Sequence, residues 1–184
     1  MKPDDEPAYS FPVKVGHVAA NPVRVTMSAD EAERARIARI WNIGDVLSFS
    51  AEAALSRWKR DGVRVKGRVE AVIVQACVVT LEPVQQAIAE DFEALFVPDR
   101  SRLARMPVDE TGELFLDPDG PDLPETFSGD SIDVGSVAAE FAALAIDPYP
   151  RKEGASFEAH VEDDGDKGRV SPFAVLKGKL GRDP

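Results

Sequence analysis

Between residues 46 and 97 apolar and polar positions alternate over long stretches. Leu47, Phe49, Ala51, Ala53 and Leu55 are interleaved with Ser48, Ser50 and Glu52, and Ser56 follows. A period of two predicts a strand with one wet face. The next run, Val63 to Thr80, carries Val63, Val65, Val69, Ala71 and Ile73 on one face. Leu81-Glu82-Pro83 turns the chain. Val84, Ile88, Phe92, Ala94 and Phe96 then share a face of a third strand. A rival reading makes Ser50 to Arg60 a helix, since Ala51, Ala54, Leu55 and Trp58 also fit a 3.6-residue period.

Shorter elements surround this block. Phe11 to Val15 and Val23 to Met27 read as strands, split by a turn at Asn21-Pro22. A helix over 28–42 follows. Ser28 with Glu31 forms a capping box, and Asp30, Glu31 and Glu33 precede Arg34, Arg36 and Arg39, as the helix dipole favours. Gly44 is its stop signal. Asp133 caps a second helix bearing Val134, Val137, Ala138, Phe141, Leu144 and Ala145. It ends before Pro148, because a residue preceding proline avoids the α region. Ser171-Pro172-Phe173 opens a last short helix through Leu180, with proline in the first turn. The prediction is an α+β domain. Its centre is an antiparallel sheet of long strands over about 46–97, flanked by two or three helices. Residues 1–10 are expected to be loose, 98–131 to form a long proline-rich acidic loop, and 151–170 a mobile acidic linker to the C-terminal helix.

Composition narrows the class. A chain of 184 residues with 43% hydrophobic and 30% charged residues suits one globular domain. No stretch approaches the roughly 20 apolar residues of a membrane helix, and the acidic N-terminus does not read as a signal peptide. The expectation is a cytoplasmic protein without membrane attachment. Cys77 is the only cysteine. That excludes an intrachain disulfide and any site built from several of its own thiolates.

The net charge of −11 is uneven. Residues 1–100 hold 13 basic and 15 acidic side chains, giving −2; residues 101–184 hold 9 and 18, giving −9. Such a chain repels bulk nucleic acid at long range, so any RNA contact requires a local basic patch. One lies at Arg57-Trp58-Lys59-Arg60-Asp61-Gly62-Val63-Arg64-Val65-Lys66-Gly67-Arg68, with six cations and one acid.

Asp61-Gly62 is a hairpin signal. A two-residue loop there sets Leu55 opposite Arg68. A shift by one residue sets Leu55 opposite Val69, Ala53 opposite Ala71 and Ala51 opposite Ile73, which keeps the apolar face together. The other face then carries Trp58 opposite Lys66, Arg60 opposite Arg64, and Arg68 next along. Alternate residues on a strand lie roughly 6.6–6.8 Å apart, close to the spacing of successive phosphates. A tryptophan among cations adds a stacking surface for a base. The functional reading is an RNA contact through Trp58, Arg60, Arg64, Lys66 and Arg68. The plain reading is a solvated sheet face, partly neutralised by Glu52, Glu70, Asp91 and Glu93.

Catalytic signals are sparse. His17 and His160 are the only histidines and do not suggest a shared site. Cys77 in an apolar strand reads as a buried structural thiol. Asp163-Asp164-Gly165-Asp166 lacks the ligand spacing of a calcium loop. The expectation is no enzyme, no metal and no cofactor. The apolar tail Phe173, Leu176 and Leu180, with Lys177, Lys179 and Arg182, is equally suited to a partner or to folding back on the sheet.

Three segments in order carry a resemblance. They are Gln75 to Val84, Ser131 to Gly135 leading to Asp147-Pro148-Tyr149-Pro150-Arg151, and Ser171 to Leu176. Together they resemble the YceD family, the bacterial and plastid large ribosomal RNA subunit accumulation proteins, over about Pro22 to Leu180. The matching residues are Cys77, Leu81, Glu82, Pro83, Asp133, Pro148, Pro150, Arg151, Pro172 and Phe173. Many relatives carry Cys-x-x-Cys at this turn. Here Thr80 stands where the second cysteine would be, so a metal or redox role does not carry over. The resemblance implies a non-catalytic role in ribosome biogenesis, in the synthesis, processing or accumulation of 23S rRNA. The partner it implies is that RNA or its precursor. The alternative is a protein-interaction adaptor whose acidic C-terminal half binds a basic ribosomal protein.

Overall fold

The computed structural model describes residues 7–18, 22–104 and 123–156. The chain divides into two units, Met1–Glu153 and Gly154–Pro184. Every element below belongs to the first. The C-terminal helix read at 171–180, with Pro172 and Phe173, lies outside the described residues, as do His160, most of the 151–170 linker and the centre of the 98–131 loop.

Three long strands form as their alternation requires. They are β3 (Asp45–Trp58), β4 (Gly62–Ala76) and β5 (Pro83–Pro98). With β2 (Val23–Ser28) and β6 (Glu125–Phe127) they make one sheet in the order β2-β3-β4-β5-β6. All its pairs are antiparallel except β5–β6, so the sheet is mixed. A separate pair joins β1 (Pro12–Lys14) to β7 (Ser131–Asp133). Thus the strand read at Phe11 to Val15 pairs far along the chain.

Both helices pack on one sheet face, and the molecule is α+β as expected. α1 (Glu31–Trp41) lies against β3, where Phe49 meets the rings of Tyr9 and Trp41 at 5.1 and 6.1 Å. α2 (Val134–Leu144) covers β4 and β5, with Phe141 5.7 Å from Phe92. Leu55, Val65, Val69, Ile73, Ile37 and Val134 are sealed between these layers. Burying side chains of this size is worth about 1.5–3 kcal/mol each relative to leaving them wet. Among the described residues no helix is long and apolar enough to cross a membrane.

Several local expectations are corrected. The α1 capping box is Asp30 with Glu33, two residues later than read. Asp30 Oδ1 accepts from the Glu33 N–H and Glu33 Oε2 accepts from the Asp30 N–H, both at 2.8 Å. Asn42, in the left-handed region at φ 53°, ends the helix before Gly44. Leu47 is exposed, because a bulge between Val46 and Ser48 turns Val46 inward instead. Leu144 closes α2 on its wet side and is 83% exposed. Inside the segment read as loop, Arg102–Ala104 forms a 3₁₀ turn and Glu125–Phe127 pairs with the end of β5. An element of three residues is too short to show a period.

The β3–β4 register also differs. Leu55 faces Val65, Ala53 faces Gly67 and Ala51 faces Val69, around a three-residue turn Lys59-Arg60-Asp61. This lies four residues from the expected pairing. An even slip keeps every side chain on its own face, so apolar alternation cannot tell the two apart. Glycine positions distinguish them. A Cβ at Gly67 would come 2.5 Å from the Phe92 ring, and one at Gly62 would come 2.7 Å from Trp58. Each glycine is the gap that a neighbouring ring fills.

Candidate nucleic-acid interface

The face of the sheet away from the helices carries the basic hairpin. Register places Ser56 and Arg64, Ala54 and Lys66, and Glu52 and Arg68 as cross-strand neighbours, with Leu95, Glu93 and Asp91 beyond on β5. Trp58, Arg64, Lys66 and Arg68 therefore share a face. The expected neighbours do not: Trp58 pairs with Gly62, and Arg60 sits in the turn. No like charges oppose each other across the β3–β4 ladder.

The strand cations are met by carboxylates. Lys66 Nζ lies 2.8 Å from Glu93 Oε2, and Arg64 Nε lies 3.2 Å from Glu93 Oε1 without hydrogen-bond alignment. Arg68 reaches Asp91 at 2.9 Å and Glu70 at 3.3 Å. The hydrogen bond from Lys66 holds the Glu93 carboxyl below the usual range, and the bonds to Asp91 and Glu70 raise the Arg68 guanidinium. These three cations are offset by three acids. All are at least 40% exposed, so solvent screens each pair and none holds the fold together by itself.

Trp58 is not an open stacking platform. Its ring lies against Gly62, and Lys59 Nζ stands 4.2 Å from its centroid. Lys59 adopts φ 53°, which folds its side chain back over the preceding ring.

The end of the sheet is different. β5 leaves the sheet beside the β3–β4 turn, as Val63 opposite Phe96 requires. Arg100 and Arg102 thereby join Arg57, Lys59 and Arg60. All five are exposed, and among the described residues none of the five forms an ion pair. Arg100 and Arg102 escaped the sequence reading because they lie 40 residues from the turn. The available signal was strand length: in a meander of three long strands, the third ends level with the first turn.

The opposite end holds the Cys77 turn. Cys77 lies just past β4 rather than in an apolar strand. Its Sγ accepts from the N–H groups of Lys152, Val79 and Thr80 at 3.3, 3.4 and 3.5 Å. Led by the Lys152 N–H, and aided by the Thr80 hydroxyl, these donors lower the thiol to about 6 although burial opposes them. Leu81, at φ 61°, reverses the chain, and Pro83 starts β5. Segment 145–152 clasps this turn. Val78 donates to the Pro150 carbonyl at 2.9 Å, Lys152 pairs with Glu82 at 2.8 Å, and Gln86 bridges the Ala145 carbonyl and the Asp147 N–H. Pro150 is buried, while Pro148 and Arg151 are exposed. Asp133 caps α2 through the Ser136 N–H and also takes the Phe11 N–H and the Ser10 hydroxyl. Cys77, Leu81, Glu82, Pro83, Asp133 and Pro150 are thus fold-building. Among the described residues no group of three metal-ligating side chains gathers.

A family model described as large ribosomal RNA subunit accumulation protein YceD matches residues 65–178. That span covers most of β4, the Cys77 turn, β5 and α2. No curated protein and no solved structure matches the chain.

Proposed function

The chain belongs to the YceD family, and on that premise we propose that it is a non-catalytic ribosome-biogenesis factor. It supports synthesis, processing or accumulation of 23S rRNA in the cytoplasm by direct RNA contact. The observation that carries this reading is the basic hairpin in a chain of net charge −11. Arg60 offers its charge freely. Arg64, Lys66 and Arg68 contact phosphate by exchanging a carboxylate partner, an exchange that exposed pairs of this strength permit. Trp58 supports the turn that presents them. Cys77, the chain's one thiol, is sealed beneath its own turn, which favours a structural role over a nucleophilic one.

The test is recovery of the tagged chain from cells with and without nuclease, followed by sequencing of bound RNA. Enrichment of 23S precursor that vanishes with nuclease supports the reading. Partners that survive nuclease, with no enriched RNA, support the second reading, in which the C-terminal half, at −9, binds a basic ribosomal protein.

A further inference from the structure

We propose that the end of the sheet at the β3–β4 turn is a clamp for a ribose–phosphate backbone, one that grips RNA without reading its bases. This rests on the RNA-contact reading above and names the locus and mode of that contact. Four observations lead to it.

First, charge is uncompensated here and balanced on the adjoining strand face. Arg57, Lys59, Arg60, Arg100 and Arg102 are exposed without ion-pair partners among the described residues, whereas the strand cations meet Glu93, Asp91 and Glu70. The two acids in the same turns are engaged by hydroxyls: Asp61 by Ser101, and Asp99 by Ser128. Five cations against two acids leave +3 over residues 57–61 and 99–102.

Second, the two cationic loops are braced together. Ser101 is buried. Its hydroxyl donates to Asp61 Oδ1 at 3.2 Å and accepts the Leu103 N–H at 3.1 Å, while its N–H donates to the Pro98 carbonyl at 2.8 Å. Arg100 and Arg102 flank this anchored residue, so their backbone is fixed beside Lys59 and Arg60. Less ordering is then left to be done on binding.

Third, Arg60 borders two shallow recesses. One, of about 350 Å³, lies between it and Lys59, Arg100 and Arg102. The other, of about 250 Å³, is shared with Arg57 and reaches Phe127 and Gly129. From the β3 end to the β5 exit the cations spread over about 10 Å, two strand spacings, the scale of neighbouring phosphates rather than of one ion.

Fourth, the tryptophan ring of this turn is not free to stack on a base. Lys59 and Gly62 occupy the Trp58 ring. Arginine forks and a lysine bind phosphate oxygens whatever the base.

The test uses the full chain and two fluorescent RNAs of about 20 nucleotides, one a 23S segment and one all uridine, with affinity read across salt. Wild type should bind both alike. The variant Arg60→Gln/Arg100→Gln/Arg102→Gln should lose about tenfold or more at low salt, and its salt slope should shrink by about 2, three contacts at roughly 0.7 each. The variant Lys66→Gln/Arg68→Gln, folded by circular dichroism like the first, should lose clearly less, because each of these cations must first give up a carboxylate partner before it meets phosphate. Loss confined to this second variant overturns the locus and leaves the RNA reading standing. Strong preference for the 23S segment overturns backbone-only recognition. Wild type that binds neither RNA overturns the RNA reading and the clamp with it.

Discussion

Ser101 and Asp61, forty residues apart, share a 3.2 Å hydrogen bond that ties the exit of β5 to the β3–β4 turn. Ser101 is the one buried polar side chain among the described residues. Removing its hydroxyl leaves the Leu103 N–H without its acceptor and frees the Asp61 carboxylate. Ser101→Ala should therefore destabilise the fold by about 1–2 kcal/mol, read by denaturant titration. RNA affinity should fall several-fold although no cation is touched. An unchanged affinity would mean the brace does not position Arg100 and Arg102.

Gly67 sets the register of the hairpin. Its missing Cβ makes room for the Phe92 ring and the Glu52 carbonyl, and Phe92 in turn carries Phe141 of α2. Gly67→Ala has to push both the ring and the β3 backbone. The expected loss is about 1–3 kcal/mol, in the range of overpacked cores. A melting temperature within a degree of wild type would contradict the pairing of Gly67 with Ala53.

Register is also where sequence reading reached its limit. The three long strands, their inward faces, the Asp133 cap and the Leu81-Glu82-Pro83 turn were all legible, because each follows from period or local chemistry. The four-residue register error was not, since alternation is blind to an even slip. Ion pairing of Arg64, Lys66 and Arg68 was half legible: Glu70, Asp91 and Glu93 were named, but which carboxylate meets which cation depends on register. Arg100 and Arg102 were invisible to a reading that looked for charge runs along the chain. The sheet gathers cations across strands, where linear spacing carries no signal.

Cys77 makes stability depend on pH. The folded thiol titrates near 6, against 9.0 for the unperturbed group. Between these values the unfolded chain holds a proton that the folded chain has released, so stability rises with pH. The contribution is complete above about 9 and is lost as pH falls through 6. Cys77→Ser removes the titration. The melting temperature of wild type relative to this variant should climb from pH 5.5 to 8.5. A constant difference would show that the thiol is not held as thiolate by the Lys152, Thr80 and Val79 N–H groups.

Asp133 joins α2 to the N-terminal segment. Its carboxylate takes the Ser136 N–H at 3.0 Å, the Phe11 N–H at 2.8 Å and the Ser10 hydroxyl at 2.6 Å. Asp133→Ala removes both a helix cap and the anchor of residues 10–11, so it should cost more than the roughly 1 kcal/mol of a cap alone. Ser10→Ala removes one of these bonds at an exposed site and should cost less than 1 kcal/mol. Equal costs for the two variants, by thermal unfolding, would contradict the double role.

On the proposed reading this acidic chain meets large-subunit RNA through the basic end of its sheet. Ultraviolet crosslinking in cells, with mass spectrometry of the nucleotide-bearing peptides, locates that contact. Adducts are expected on peptides containing residues 57–60 and 100–102, attached to 23S sequence. Adducts confined to the C-terminal half, or RNA from outside the large subunit, would contradict it.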